Sequence, residues 1–222
     1  MNSLHVVRQR GLQWVMAVGL LVLALVAGVQ PSRAATATAP VRTVLVMGDS
    51  LSAAHGLAES EGWVALLSQR LVARKPGWRV VNASISGETT AGGASRIAHE
   101  LALNHPSVLV IELGANDGLR GLPMPQMKSN LTAMMTAAQG AHAKILLIGM
   151  RIPPNYGPAY THAFEQTYRD LAPPFDAALL PFLLEPIALD RSAFQADNLH
   201  PVAAAEPKLL EHVWRVLEPL LK

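Results

Sequence analysis

Five short apolar runs, separated by segments with helical spacing, constrain the fold of this chain more than any other feature of its sequence. Each run is mostly apolar and does not alternate, which is typical of a strand that is covered on both faces in a parallel sheet. The predicted strands span residues 43–47, 79–83, 108–113, 144–150 and 177–180.

The segments between these runs have the apolar spacing of amphipathic helices. In the first of them, Trp63, Leu66, Leu67 and Leu71 recur every three or four residues. The predicted helices span residues 62–74, 90–103, 127–139, 159–171 and 206–221. The alternation of strand and helix predicts an α/β fold with a mostly parallel sheet of about five strands between helices. In such sheets ligand sites form beyond the carboxyl ends of the strands.

The first 34 residues have the pattern of a secretory signal. Arg8 and Arg10 precede an apolar run over residues 14–29, and the small residues Ala34 and Ala37 follow it. The run is shorter than the roughly 20 residues that span a bilayer, so an uncleaved membrane anchor is the less favoured alternative. We expect cleavage after Ala34 or Ala37, a spacer over 35–41, one domain over 42–222, and a periplasmic or secreted protein.

Charge and composition exclude several classes of partner. Removal of residues 1–34 takes away three of the 18 basic residues and none of the 16 acidic ones, which leaves a net charge of about −1 and no basic surface for nucleic acid. The chain has no cysteine. His99, Glu100 and His105 miss the H-E-x-x-H spacing, and the glycines of 87–93 lack a P-loop ending. We therefore expect no cofactor or metal, a monomer, and membrane contact only through the signal or lipid substrates.

Two segments carry residue types that suit nucleophilic catalysis. Ser50 lies in the Gly-Asp-Ser turn directly after the first predicted strand, where its hydroxyl can face solvent, although this is also an ordinary turn composition. Asp197 precedes His200 by three residues, so its carboxylate can hold Nδ1 and leave Nε2 free to accept a proton. The alternative is that Asp197 or Asn198 caps the last helix, whose first turn suits Pro201.

Two further segments offer hydrogen-bond donors to an anion. Gly87 lies where the chain enters a predicted helix, and its backbone N–H can face an anion, although a flexible helix-entry turn explains it equally. Asn116 follows the third predicted strand and can offer its amide to an oxyanion, or form an Asx-turn. Taken together, the four segments supply the nucleophile, base, orienting acid and oxyanion donors that acyl transfer requires.

These four segments, in this order and spacing, resemble the sequence blocks of the SGNH or GDSL hydrolases. The blocks are GDSLS at 48–52, NASISGETT at 82–90, GAND at 114–117 and DNLHP at 197–201. Within the family the chain looks most like the periplasmic thioesterase I, lysophospholipase L1 and arylesterase group. The resemblance implies a three-layer α/β/α flavodoxin-like fold, family roles for Ser50, Gly87, Asn116 and His200, and Asp197 as the third member of the triad. Asn198, Leu199, Val202 and Glu206 depart from the residues common in the family.

The resemblance also implies a substrate class. We expect hydrolysis of small-molecule acyl esters or thioesters: aryl esters, fatty acyl thioesters and lysophospholipids. An acetyl-glycan deacetylase or acyltransferase on the same triad and a non-catalytic exported lipid-binding module are the alternatives. Asp49 and Asn82 are expected to support the site from outside, with Asp49 shaping the nucleophile turn. The predicted apolar wall of the acyl groove comprises Leu119, Leu122, Ile152, Pro153 and Tyr156.

Overall fold

The computed structural model of this chain describes residues 40–222. The predicted signal segment, its cleavage sites and the spacer up to residue 39 lie outside the described residues. Five parallel strands form one sheet in the order β2-β1-β3-β4-β5. They are β1 (Arg42–Gly48), β2 (Trp78–Asn82), β3 (Val108–Glu112), β4 (Lys144–Ile148) and β5 (Ala178–Leu180). The predicted α/β class and the parallel five-stranded sheet are confirmed.

Helices connect the strands, and five of them match predicted segments. The six α-helices are α1 (Trp63–Arg74), α2 (Thr90–Asn104), α3 (Ala115–Leu119), α4 (Met124–Gly140), α5 (Pro158–Leu171) and α6 (Glu206–Leu217). The short helix α3 was not predicted, because five residues are too few for a periodic pattern. The last helix ends earlier than predicted and a 3-10 turn, Glu218–Leu220, follows it, since Pro219 has no N–H to continue the α-helical bonding.

The expected place of Pro201 in the first turn of the last helix is wrong. The helix α6 begins at Glu206, five residues later, after a 3-10 turn over Ala203–Ala205. Pro201 instead pairs with Phe194 in an isolated antiparallel bridge. His200 therefore lies on a loop and not at the start of a helix. The bridge between Phe194 and Pro201 joins the two sides of this loop.

The core lies between the sheet and the helices on its two faces. Residues 44–47 of β1 and 108–111 of β3 are completely buried, which explains why these runs lack polar alternation. The helices α1 and α6 pack against each other, and α4 packs against both α2 and α5. This gives the three layers that the alternation predicted. Within residues 40–222, no helix is long and apolar enough to cross a membrane.

The strand order reverses between β1 and β3, which creates a crevice at their carboxyl ends. Gly48 and Glu112, the last residues of these two strands, are register partners. Ser50 and Asn116 therefore follow neighbouring strands at the same edge of the sheet. The loop that carries His200 precedes α6 and reaches this edge from the far end of the chain.

Candidate active site

Ser50, His200 and Asp197 form a continuous hydrogen-bonded chain. The Ser50 Oγ lies 2.8 Å from His200 Nε2, and His200 Nδ1 lies 2.7 Å from Asp197 Oδ2. His200 is about 9% exposed and Ser50 is half-buried. The structure thus brings together three predicted residues that are up to 150 positions apart in the sequence. This arrangement can move a proton from the serine hydroxyl to the imidazole.

The Asp197 carboxylate is held by its own loop. Its Oδ1 accepts hydrogen bonds from the backbone N–H groups of Leu199 (2.9 Å) and His200 (3.1 Å). These bonds and the bond to the His200 ring, which is the largest cause, lower the pKa of Asp197. The tight turn needs a positive φ of 57° at Asn198, a conformation that asparagine tolerates better than most residues. Neither Asp197 nor Asn198 caps α6, so that alternative is excluded.

Asp49 braces the nucleophile turn. Its Oδ1 accepts the Leu51 N–H at 3.0 Å, and its Oδ2 accepts the Asn116 side-chain amide at 3.1 Å. Asp49 therefore links the turn after β1 to the turn after β3. Among the described residues, Asp197 and not Asp49 is the carboxylate that bonds to the His200 ring. Burial raises the pKa of Asp49 to about 6, although the hydrogen bonds and the charge of His200 act in the opposite direction.

A second buried carboxyl group, which the sequence analysis missed, lies beneath Asp49. Glu112 is fully buried at the end of β3, and its Oε2 accepts the Ser52 hydroxyl at 2.7 Å, while its Oε1 has no partner among the described residues. Burial, reinforced by the charge of Asp49, raises the pKa of Glu112 well above its usual value. Its position inside an otherwise apolar strand was the available signal, because a buried carboxyl seldom occurs without a specific role.

The predicted oxyanion donors lie around the same turn. The Asn116 amide donates to Asp49 Oδ2 and, at 3.0 Å, to the backbone carbonyl of Glu88, so it joins the β1, β3 and Gly87 segments. Gly87 has a φ of 80°, which favours glycine, and its carbonyl accepts a bond from Arg120. Within residues 40–222, the backbone N–H groups of Ser50 and Gly87 have no hydrogen-bond acceptor.

Two neighbouring polar residues stabilise these loops. Asn82 donates to the Ser52 carbonyl at 2.9 Å and accepts the Ser84 N–H at 3.1 Å, which ties the end of β2 to the nucleophile turn. Asp117 accepts both the backbone N–H and the hydroxyl of Thr90 at the start of α2. Both side chains thus fix the loops that carry Gly87 and Asn116, and neither faces the Ser50 hydroxyl.

An apolar cleft of about 380 Å³ opens beside Ser50. Of the five predicted wall residues, Leu119, Ile152 and Pro153 line it. The structure does not bring the other two into the cleft. The Tyr156 hydroxyl donates to the Leu119 carbonyl at 2.7 Å and its ring stacks on Tyr160, while the Leu122 carbonyl accepts a bond from Tyr160. Tyr156 and Leu122 therefore brace the outside of this wall.

The rest of the apolar lining comes mainly from the connection after β5, which the sequence did not predict. Phe182 and Leu184 follow β5, Ala188 and Phe194 lie further along the same connection, and Met150 follows β4. The apolar residues after β5 gave a usable signal, because the carboxyl ends of all parallel strands share one edge of the sheet. Within the described residues, no cluster of three or more His, Asp or Glu side chains could hold a metal ion.

Comparison with known proteins shows which family the chain resembles. The model of the GDSL-like lipase/acylhydrolase family matches residues 46–206. The chain belongs to this family. This GDSL hydrolase is 50% identical to "Esterase TesA" of Pseudomonas aeruginosa over 186 residues, which cover 84% of this chain and 92% of that protein. It is 39% identical to "Thioesterase 1/protease 1/lysophospholipase L1" of Escherichia coli over 179 residues, 81% of this chain and 85% of that one.

A solved structure supports the same assignment. The esterase EstA from Pseudoalteromonas sp., inhibited by monoethylphosphonate, superposes with a TM-score of 0.78 at 40% identity, covering 81% of this chain and 98% of that one. The predicted membership of the SGNH/GDSL hydrolases is confirmed, and the chain is an enzyme of that hydrolase family.

Proposed function

We propose that this GDSL hydrolase cleaves acyl esters and thioesters through an acyl-enzyme formed on Ser50. The observation that carries the proposal is the hydrogen-bonded chain from Ser50 Oγ through His200 to Asp197, with both bonds shorter than 3 Å. An imidazole held in this way has its protonated Nδ1 directed at a carboxylate and its Nε2 available as a base. The named activities of the relatives, esterase and thioesterase, agree with it.

The proposed reaction has two similar steps. His200 Nε2 takes the Ser50 proton while Oγ attacks the acyl carbon, and the protonated imidazole then gives that proton to the departing alcohol or thiol. Water, deprotonated by His200, hydrolyses the acyl-enzyme and restores the serine. In each step the negative oxygen accepts hydrogen bonds from the Ser50 and Gly87 N–H groups and the Asn116 amide.

Asn116 must rearrange slightly to fill this role. Both protons of its amide are directed at acceptors, Asp49 Oδ2 and the Glu88 carbonyl, in the absence of substrate. An oxyanion near Ser50 therefore shares or replaces one of these bonds. Because the displaced acceptor is part of the same network, the amide stays near its starting position during the exchange.

The cleft favours acyl chains over acetyl groups alone. Leu119, Ile152 and Phe182 form apolar walls beside Ser50, and each methylene buried there contributes ~0.8 kcal/mol. We therefore propose aryl esters, fatty acyl thioesters and lysophospholipids as the substrate class. The basic, apolar and small-residue pattern of residues 1–34 supports export of the enzyme to the periplasm or beyond, with cleavage after Ala34 or Ala37.

Activity of the purified mature protein tests the proposal. On p-nitrophenyl esters from acetate to decanoate, kcat/KM should rise with chain length until the cleft is filled. Ser50→Ala and His200→Ala should each lower kcat on the order of 10⁶-fold. Ser192→Ala, at an exposed serine whose N–H and hydroxyl both donate to the Asp190 carboxylate, is the matched control and should act like the wild type. Turnover by Ser50→Ala at the wild-type rate, or activity confined to acetate, would contradict the proposal.

A further inference from the structure

A second imidazole packs directly on the ring of His200. The ring centroids of His55 and His200 are 4.4 Å apart, and the planes are tilted by 41°. His55 follows Ser50 by five residues in the loop between β1 and α1, and it is exposed. The hydrogen-bonded chain from Ser50 to Asp197 does not include this ring. The His55 ring covers one face of the His200 imidazole, which must gain and lose a proton in each step of the reaction.

The backbone holds His55 between the two loops of the site. Its N–H donates to the Ser50 carbonyl at 3.1 Å, and its carbonyl accepts a bond from the Gln195 side chain at 2.8 Å. The same Gln195 nitrogen donates to the Pro201 carbonyl at 2.8 Å. A side chain at the next residue, Gly56, would place its Cβ 2.3 Å from the Gln195 amide oxygen. The loop is thus closely fitted to Gln195, and His55 is fixed relative to both Ser50 and His200.

We propose that His55 is a positioning residue for His200. The proposal rests on the function proposed above. The His55 ring restricts His200 to the orientation in which Nε2 faces Ser50. Without the ring, the imidazole is free to leave that orientation, and the proton transfer from Ser50 slows.

His55→Phe keeps an aromatic ring at this position, so its kcat should stay close to the wild-type value. His99→Ala, at an exposed histidine within α2, is the matched control for the loss of a histidine side chain and should act like the wild type. A kcat that falls as far in His55→Phe as in His55→Ala would overturn the positioning role.

His55→Ala tests the positioning role, because it removes the ring and leaves the backbone bonds. We expect kcat to fall severalfold at pH 8.5 with KM little changed, and His55→Phe to restore most of the loss. A wild-type kcat in His55→Ala would overturn this role. Ser50→Ala, assayed in parallel, separates the two proposals: if it is inactive while the His55 variants match the wild type, only the inference about His55 fails. If Ser50→Ala is active, the proposed function fails.

Discussion

The buried carboxyl group of Glu206 should make the fold less stable as pH rises. Glu206 is the first residue of α6 and about 1% exposed, and it accepts the Trp63 N–H at 2.8 Å at the start of α1. The bond joins the helix after the nucleophile loop to the helix after the His200 loop. Burial raises the pKa of Glu206 from 4.5 to about 7. Glu206→Gln keeps an acceptor for Trp63 and removes the charge.

The size and sign of the effect follow from that pKa. Between pH 4.5 and about 7, the folded chain keeps the Glu206 proton and the unfolded chain loses it, so stability falls with rising pH through this window. Above pH 7 the full cost applies, and the pKa difference corresponds to about 3 kcal/mol. The bond from the Trp63 N–H favours the charged carboxylate, and Glu206→Gln weakens that bond. The figure of about 3 kcal/mol is therefore an upper bound for the gain in stability on substitution.

Urea unfolding of the mature protein and of Glu206→Gln at pH 4.5, 6, 7 and 8.5 measures the gain directly. The variant should be close to wild type at pH 4.5 and more stable by about 1–3 kcal/mol at pH 8.5. Glu211→Gln, on the same helix as Glu206, is the control: its carboxylate is about half exposed and pairs with Arg70 of α1, and the change should alter stability by less than about 1 kcal/mol. A difference between Glu206→Gln and wild type that does not change with pH would refute the reasoning.

Three further experiments, each on one or two substitutions, test the site. Asp197→Asn should lower kcat on the order of 10⁴-fold because the His200 tautomer is no longer fixed, and Asp49→Asn should lower it much less; equal losses would contradict the assignment of the triad acid. Asn116→Ala should lower kcat about 10²–10³-fold with KM little changed, and a pure KM effect would exclude it from the oxyanion site. Ala188→Trp should fill the cleft and lower the ratio of octanoate to acetate kcat/KM at least about tenfold, whereas Leu189→Trp, at the adjacent fully exposed residue, should not.

Much of the fold could be predicted because its central strands are buried on both faces. The continuous apolar runs of β1 and β3 differ clearly from the helical spacing of α1, so the element order and the parallel sheet followed. The boundaries were less certain where they depend on a local feature. Pro219 converts the end of the last helix to a 3-10 turn, and α3 is too short to have a period of its own.

The polar residues of the site were easier to predict than its apolar walls. Ser50 and Asn116 directly follow buried strands, and His200 follows Asp197 at the spacing of a hydrogen-bonded pair, so short sequence segments carry all three. The family resemblance assigned Leu122 and Tyr156 to the groove, but sequence position does not say which side of a loop faces inward. Glu112 and Phe182 left local signals in and after strands, whereas the contact of His55 with His200 depends on long-range packing, which no local pattern records.

The central claim is that the Ser50 hydroxyl becomes the acyl carrier because His200 and Asp197 meet it at the edge of the sheet. Mass spectrometry of the mature protein, quenched during turnover of a p-nitrophenyl ester, tests this most directly. We expect one added acyl group, located by peptide mapping on Ser50 and missing from both Ser50→Ala and His200→Ala. An active enzyme that carries no acyl group, or carries it on another residue, would contradict the account.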